Sequence, residues 1–314
     1  MTRPTKSYLD VSYDLRPAKQ VERRIFIDVL MKLSIAGFPI SEYQYTGMGS
    51  IYFVDHILFH RYLGISKLVS VEHDQGIEKR VEFNRPFRHV NVEMKPVGDV
   101  IPDLDPDLKH VLWLDYDDRI HADITTDVVQ ASHHLSPGSI LIITVDVEPP
   151  EVGEGPHDWM EYYRGRAGEY FELEWKDKDF SPSRVPETIA EVLFNCIRTG
   201  LAGRSNASFF NLFKFVYKDG HRMLTLGGMI STDSETAKIS AAPLESLPFV
   251  RLDPKAPAFE IRVPTLTRRE RLYLDSHMPC DAGWVPDDFE LDQEYVDSYR
   301  DIYRFYPVFA ELLL

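Results

Sequence analysis

Four consecutive apolar residues, Ile140-Leu141-Ile142-Ile143, constrain this chain more than any other feature. A short run of branched side chains, opened by Pro137-Gly138, predicts a strand over 139–147. Such a strand is apolar on both faces, so it needs a sheet covered on both sides. Four further strands are predicted before it, over 42–46, 67–73, 90–94 and 111–114, the last reading Val111-Leu112-Trp113-Leu114. Between the strands the apolar period becomes helical. Pro17 opens a helix at a position where its missing N–H costs nothing. Val21, Ile25, Phe26, Val29, Leu30 and Leu33 then recur at helical spacing until Gly37. Ile51, Val54, Ile57, Leu58 and Tyr62 form a second stripe, closed by Gly64, and further helices are expected over 77–84 and 122–135. Strands alternating with helices at this spacing imply right-handed crossovers and a parallel sheet.

The pattern changes after residue 150. Residues 151–185 are polar and aromatic, with Trp159, Tyr162, Tyr163, Tyr170, Phe171 and Trp175 at no obvious period, and they read as an insertion or lid. A helix follows over 186–198. Two strand-like runs, 208–217 and 221–230, flank Lys218-Asp219-Gly220, and Asp-Gly between apolar runs signals an antiparallel hairpin. Helices are expected near 268–276 and 294–306. The implied organisation is an N-terminal arm over 1–16, an α/β domain over 17–235 and a C-terminal extension over 236–314.

Composition narrows the function. Thirty-five basic residues against 50 acidic ones give a net charge of −15. That surface repels polyphosphate, which makes a small molecule or a protein the expected partner ahead of nucleic acid. Two cysteines, Cys196 and Cys280, exclude a disulfide scaffold and a cysteine-built zinc site. No apolar run reaches spanning length and the N-terminus has no signal-peptide core, so a cytoplasmic protein without a membrane partner is expected. GxxxxGK[ST] does not occur, and His133 and His134, being adjacent, point about 100° apart on a helix and share no metal.

Candidate chemistry gathers at the strand ends. Gly47-Met48-Gly49-Ser50 sits between the first strand and its helix, where glycines let backbone approach a ligand and a helix start offers free N–H groups. Glu72 ends the second strand, with Asp74 beside it, and Asp99 follows the third. Asp115-Tyr116-Asp117-Asp118 follows the fourth, with His121 close behind. Clustered carboxylates raise one another's pKa and favour a general base or a divalent ion; alternatively they decorate a helix start. Asp146 and Glu148 end the fifth strand, as a rim carboxylate pair.

Five βα units, a helix and an antiparallel hairpin resemble the class I S-adenosylmethionine-dependent methyltransferase fold. The resemblance implies a Rossmann-like, mainly parallel seven-stranded sheet in the order 3-2-1-4-5-7-6, and it covers about residues 20–235. YTGMGSIYFVDHILFHRYLGISKLVSVEHD is similar, more narrowly, to a bacterial O-methyltransferase group. It implies S-adenosylmethionine as cofactor, with Tyr45 among its contacts and Gly47, Met48, Gly49 and Ser50 around its amino-acid part. Glu72 would take the ribose and Asp99 the adenine. Asp115, Asp117, His121 or Asp146 would act on the acceptor. The family's loop carries an acid where Tyr45 stands and a third glycine where Ile51 stands. Those departures keep a second reading open, a non-catalytic methyltransferase-like scaffold or sensor with an altered pocket.

Overall fold

The computed structural model describes residues 16–153, 155–244 and 247–307. The arm expected over 1–16 lies outside the described residues except for Arg16. One eight-stranded sheet organises the described chain, in the order β3-β2-β1-β4-β5-β7-β6-β8. Its strands are β1 Gln44–Gly47, β2 Lys67–Val71, β3 Val90–Glu93, β4 His110–Arg119, β5 Ile140–Asp146, β6 Ser208–Asp219, β7 His221–Ser231 and β8 Phe259–Ile261. Its helices are α1 Pro17–Ile35, α2 Val54–Leu63, α3 Glu78–Asn84, α4 Val97–Val100, α5 Ala122–His134, α6 Pro156–Ala167, α7 Val185–Leu201, α8 Asp233–Ala241, α9 Arg268–His277 and α10 Gln293–Ile302. β1 to β5 pair in parallel, and β7 is antiparallel to both β5 and β6.

The run at 140–143 behaves as its composition demands. Ile140 and Ile142 face one core with Trp113, Phe213 and the α1 stripe Val21, Ile25, Phe26 and Val29. Leu141 and Ile143 face the other with Leu112, Leu114 and apolar residues of α5 and α7. Full burial of each such side chain stabilises the fold by roughly 1.5–3 kcal/mol, so the central strands anchor both layers.

Three elements depart from expectation. The sheet has eight strands, because the C-terminal extension supplies β8, parallel to β6. β4 does not stop at Leu114 but continues to Arg119 past an irregularity after Asp115, so Asp115 lies level with Thr144 and Arg119 with Asp146. The aromatic segment is an insertion with its own core. Met160, Tyr163 and Ala167 share the buried side of α6, and Phe180 stacks on Tyr163 at 5.8 Å and on Phe171 at 5.7 Å. Those rings bury against one another and the α7 layer, while Trp159, Tyr162, Tyr170 and Trp175 are only partly buried.

Candidate functional site

Strand order reverses between β1 and β4, which opens a crevice at the carboxyl edge of the sheet. In open α/β sheets that switch point is where ligands bind.

The glycine turn forms its floor. Neither glycine has a positive φ; that conformation belongs to Ser50 (48°) and Phe53 (52°), and α2 starts only at Val54. The glycines serve close packing instead. A Cβ on Gly47 would overlap the Tyr45 hydroxyl. One on Gly49 would overlap Ser70 Oγ of β2 and come within 2.9 Å of His56 Cε1. Tyr45, expected among the cofactor contacts, is buried beneath the turn, edge-on to Phe59 at 4.6 Å and His56 at 4.9 Å. Burial pushes its phenol well above the ordinary value. It supports the turn from below. Ile51, at the missing third glycine, is likewise a core residue.

The carboxylate that the turn lacks at Tyr45 has a neighbour that the sequence pattern did not single out. Asp55, in the first turn of α2, ion-pairs with Arg23 Nε of α1 at 2.5 Å, and both are buried. Burial pulls the Arg23 guanidinium down, but Asp55 more than offsets it and holds it raised. Arg23 Nη1 and Ser50 Oγ are buried polar atoms without a hydrogen-bond partner.

The next strand ends carry Glu72 and Asp99. Glu72 is half-buried, and its Oε1 accepts from the Asp74 amide at 2.9 Å, which orients the carboxylate. Asp99 is exposed on α4. Beside it Gly98 packs on Asp127 of α5, whose Oδ2 accepts from the Tyr116 hydroxyl at 2.7 Å. Burial raises the Asp127 carboxyl, against that hydrogen bond.

The β4 carboxylates do not cluster as expected. Asp115, its side chain 19% exposed, turns toward α1, where Lys19 Nζ donates to Oδ1 at 2.6 Å. Lys19 is fully buried; its Nζ also reaches Glu22 Oε2 at 2.9 Å and the Tyr217 hydroxyl at 3.1 Å, and lies 4.2 Å over the Trp113 ring. Burial pulls this ammonium down, but Asp115 and Glu22 outweigh it and hold it charged. Burial pushes the Glu22 carboxyl up, against the pull of Lys19. Thr225 donates to Glu22 and shares a 2.9 Å hydrogen bond with Thr144. Asp117 and Asp118 are exposed. His121 caps α5, its Nδ1 accepting the Asp123 amide at 3.3 Å. Asp115, Asp117 and His121 therefore stand in three settings: Asp115 is drawn to Lys19, Asp117 follows the irregularity in the ladder and is exposed, and His121 is taken up as a helix cap. Among the described residues no three His, Cys, Asp or Glu side chains converge to hold a metal ion.

Asp146 belongs to a different arrangement. It is 3% exposed; Oδ1 accepts the Glu148 amide at 2.6 Å, and Oδ2 lies 2.9 Å from His221 Nδ1 and 3.8 Å from Arg119 Nη2. Glu148 holds Lys218 at 3.1 Å and the Arg222 amide at 2.9 Å.

The chain is similar to known proteins. The family described as "Putative O-methyltransferase" matches residues 11–314. No curated protein matches the chain. Among solved structures, an O-methyltransferase from Bacillus cereus in complex with S-adenosylhomocysteine is 14% identical. That match covers 71% of this chain and 86% of that one, with a TM-score of 0.38. An O-methyltransferase of tomaymycin synthesis from Streptomyces achromogenes, in complex with S-adenosylmethionine, is 16% identical. It covers 72% of this chain and 93% of that one, with a TM-score of 0.36.

Proposed function

We propose a working arrangement for this chain, which belongs to the O-methyltransferase family just described and is an S-adenosylmethionine-dependent methyltransferase. The observation that carries it is the glycine turn at the β1/β4 switch point with Glu72 at the next strand end. The residues fit the cofactor. Arg23 Nη1 is a spare donor for its carboxylate and Ser50 Oγ a spare polar atom beside the turn. The oriented Glu72 carboxylate suits a pair of ribose hydroxyls. Asp99, next to the Gly98 that packs on Asp127, would take the adenine.

S-adenosylmethionine supplies an electrophilic methyl group on a sulfonium. The protein's share is to hold the donor, align an acceptor oxygen with it and exclude competing water. The Lys19–Asp115–Glu22 network fixes the β4 end against α1, so the crevice wall is set before an acceptor arrives. The acceptor would enter over the ends of β4 and β5 and the start of β7. A net charge of −15 favours a small molecule or a protein over nucleic acid. Among the described residues no helix is long and apolar enough to cross a membrane. Both cysteines are free thiols, in keeping with a cytoplasmic setting.

Ultraviolet cross-linking of methyl-labelled S-adenosylmethionine, followed by peptide mapping, tests the placement. Label is expected within residues 45–74 or 113–119. Label confined to the opposite edge, around Ser205–Ser208 and Ser231–Ser234, would refute it.

A further inference from the structure

The geometry points to His221, oriented by Asp146, as the group that takes the proton from the methyl acceptor. The inference rests on the methyl-transfer reading and adds a substrate class to it: the acceptor is a hydroxyl, a phenol or enol, and not a carboxylate.

His221 opens β7, one residue beyond the Gly220 turn, on the crevice edge of the sheet. Its Nδ1 lies 2.9 Å from Asp146 Oδ2, and 66% of its side chain is exposed. Asp146 is almost fully buried at the end of β5. A carboxylate only accepts, so the imidazole carries a hydrogen on Nδ1, and in the neutral ring the lone pair is then on Nε2. A buried acid behind an exposed histidine is the arrangement that makes imidazole an oriented base.

The surroundings keep the pair aligned. Arg119 Nη2 stands 3.8 Å from the same Asp146 oxygen, and the Glu148 amide holds the other one. Glu148 and Lys218 neutralise each other beside the ring. Tyr163 of α6 is buried close enough to feel Arg119 and Asp146. The turn preceding His221 is anchored too: Asp219 accepts the amides of Ala18 (3.1 Å) and Lys19 (2.9 Å) at the start of α1. Lys19 in turn holds Asp115. A continuous path of bonds thus ties His221 to the β4 rim of the crevice.

In the step, the acceptor O–H proton passes to His221 Nε2. The acceptor oxygen forms its bond to the methyl carbon as the carbon–sulfur bond breaks, and that bond's electron pair stays on sulfur. The products are the methyl ether and S-adenosylhomocysteine. The imidazolium returns its proton to solvent, which the exposed ring meets directly. A carboxylate acceptor brings no proton and would leave the pair idle. Phenols and enols lie closer in acidity to imidazolium than alcohols do, so proton transfer from them is the better match.

Three measurements on the full chain test this, with His221→Ala, His221→Gln and Asp146→Asn. Calorimetry with S-adenosylhomocysteine should give the same affinity for all. No binding by the wild type would fell the methyl-transfer reading and this inference with it. Nitrogen NMR should show the Nδ1–H tautomer of His221 in the wild type and a mixture in Asp146→Asn; an Nε2–H tautomer in the wild type overturns the assignment. Methyl transfer is then followed with catechol as the hydroxyl probe and benzoate as the carboxylate probe. The expected result is transfer to catechol with an acid limb of unit slope in its pH profile. Both His221 variants should be slower by about 10²–10⁴-fold, the usual contribution of a general base, with His221→Ala partly rescued by added imidazole. A protein that binds S-adenosylhomocysteine but methylates benzoate in preference, leaves catechol untouched, or loses nothing on His221→Ala contradicts the inference.

Discussion

Around the ends of β1 and β2 polar atoms are left over, whereas at the ends of β4, β5 and β7 charges already have partners. Arg23 Nη1 and Ser50 Oγ lie buried without a hydrogen bond on the donor side. On the acceptor side Lys19 meets Asp115 and Glu22, Asp146 meets His221 and Arg119, and Glu148 meets Lys218. In the proposed arrangement the donor half would gain hydrogen bonds on binding, while the charges of the acceptor half are already paired. Affinity for the cofactor would then rest on the first half, and stability and orientation on the second.

The sharpest way to break that division is Lys19→Met. It leaves two carboxylates facing a buried apolar side chain, and should cost about 3–5 kcal/mol of stability by chemical denaturation, with cofactor affinity little changed. The loss should also depend on pH. Glu22 is already raised by burial, and Lys19 is the strongest influence opposing that rise. Without Lys19 its folded pKa climbs further above the unfolded value. A raised carboxyl loses stability as pH rises, so the deficit of Lys19→Met should shrink toward acid and grow toward alkali. A deficit flat across that range would mean that Glu22 is never charged.

Phe180→Ala probes the aromatic insertion, which backs the acceptor half through Tyr163 and stands apart from the donor half. It should destabilise the fold by about 3–5 kcal/mol through the cavity it leaves, and leave cofactor affinity alone. A fully stable variant with impaired turnover would show that the insertion acts on the substrate and not on the fold.

Gly49→Ala sharpens the donor half. Its Cβ would meet Ser70 Oγ, so the expected cost is about 1–3 kcal/mol of stability from overpacking. The double variant Gly49→Ala, Ser70→Gly should recover most of it. A stable Gly49→Ala that fails to bind cofactor would show that the glycine makes room for the ligand and not for β2.

Much of this was legible in the amino-acid pattern. Period-two and period-3.6 stripes are dictated by burial, so Ile140 to Ile143 and the α1 stripe announced a doubly covered sheet. The position of Glu72 just past a strand was legible because a strand end follows from the same stripes. Other features resisted for physical reasons. β8 buries only Phe259 and Ile261 around an exposed Glu260, too short an alternation to read. The period of α6 was hidden because Trp159 and Tyr162 lie off its buried side while Gly165 and Pro156 read as breakers. Lys19 sits at the start of a helix, where a lysine ordinarily faces water; only the fold brings Asp115 to it across 96 positions. His221 is a hairpin residue whose partner, Asp146, stands 75 positions earlier, a separation that only antiparallel pairing of β5 with β7 closes. The substitutions at Tyr45 and Ile51, which had kept a non-catalytic scaffold open, are explained by packing under the turn.

The most direct test of the central claim is a calorimetric titration of the wild type and Glu72→Ala with S-adenosylhomocysteine. The account predicts wild-type binding near micromolar, about −7 to −8 kcal/mol. Glu72→Ala should lose about 1.5–3 kcal/mol of that, the worth of hydrogen bonds to a charged group, with its melting temperature unchanged. Equal affinity in the two proteins would contradict the placement of the cofactor at the ends of β1 and β2.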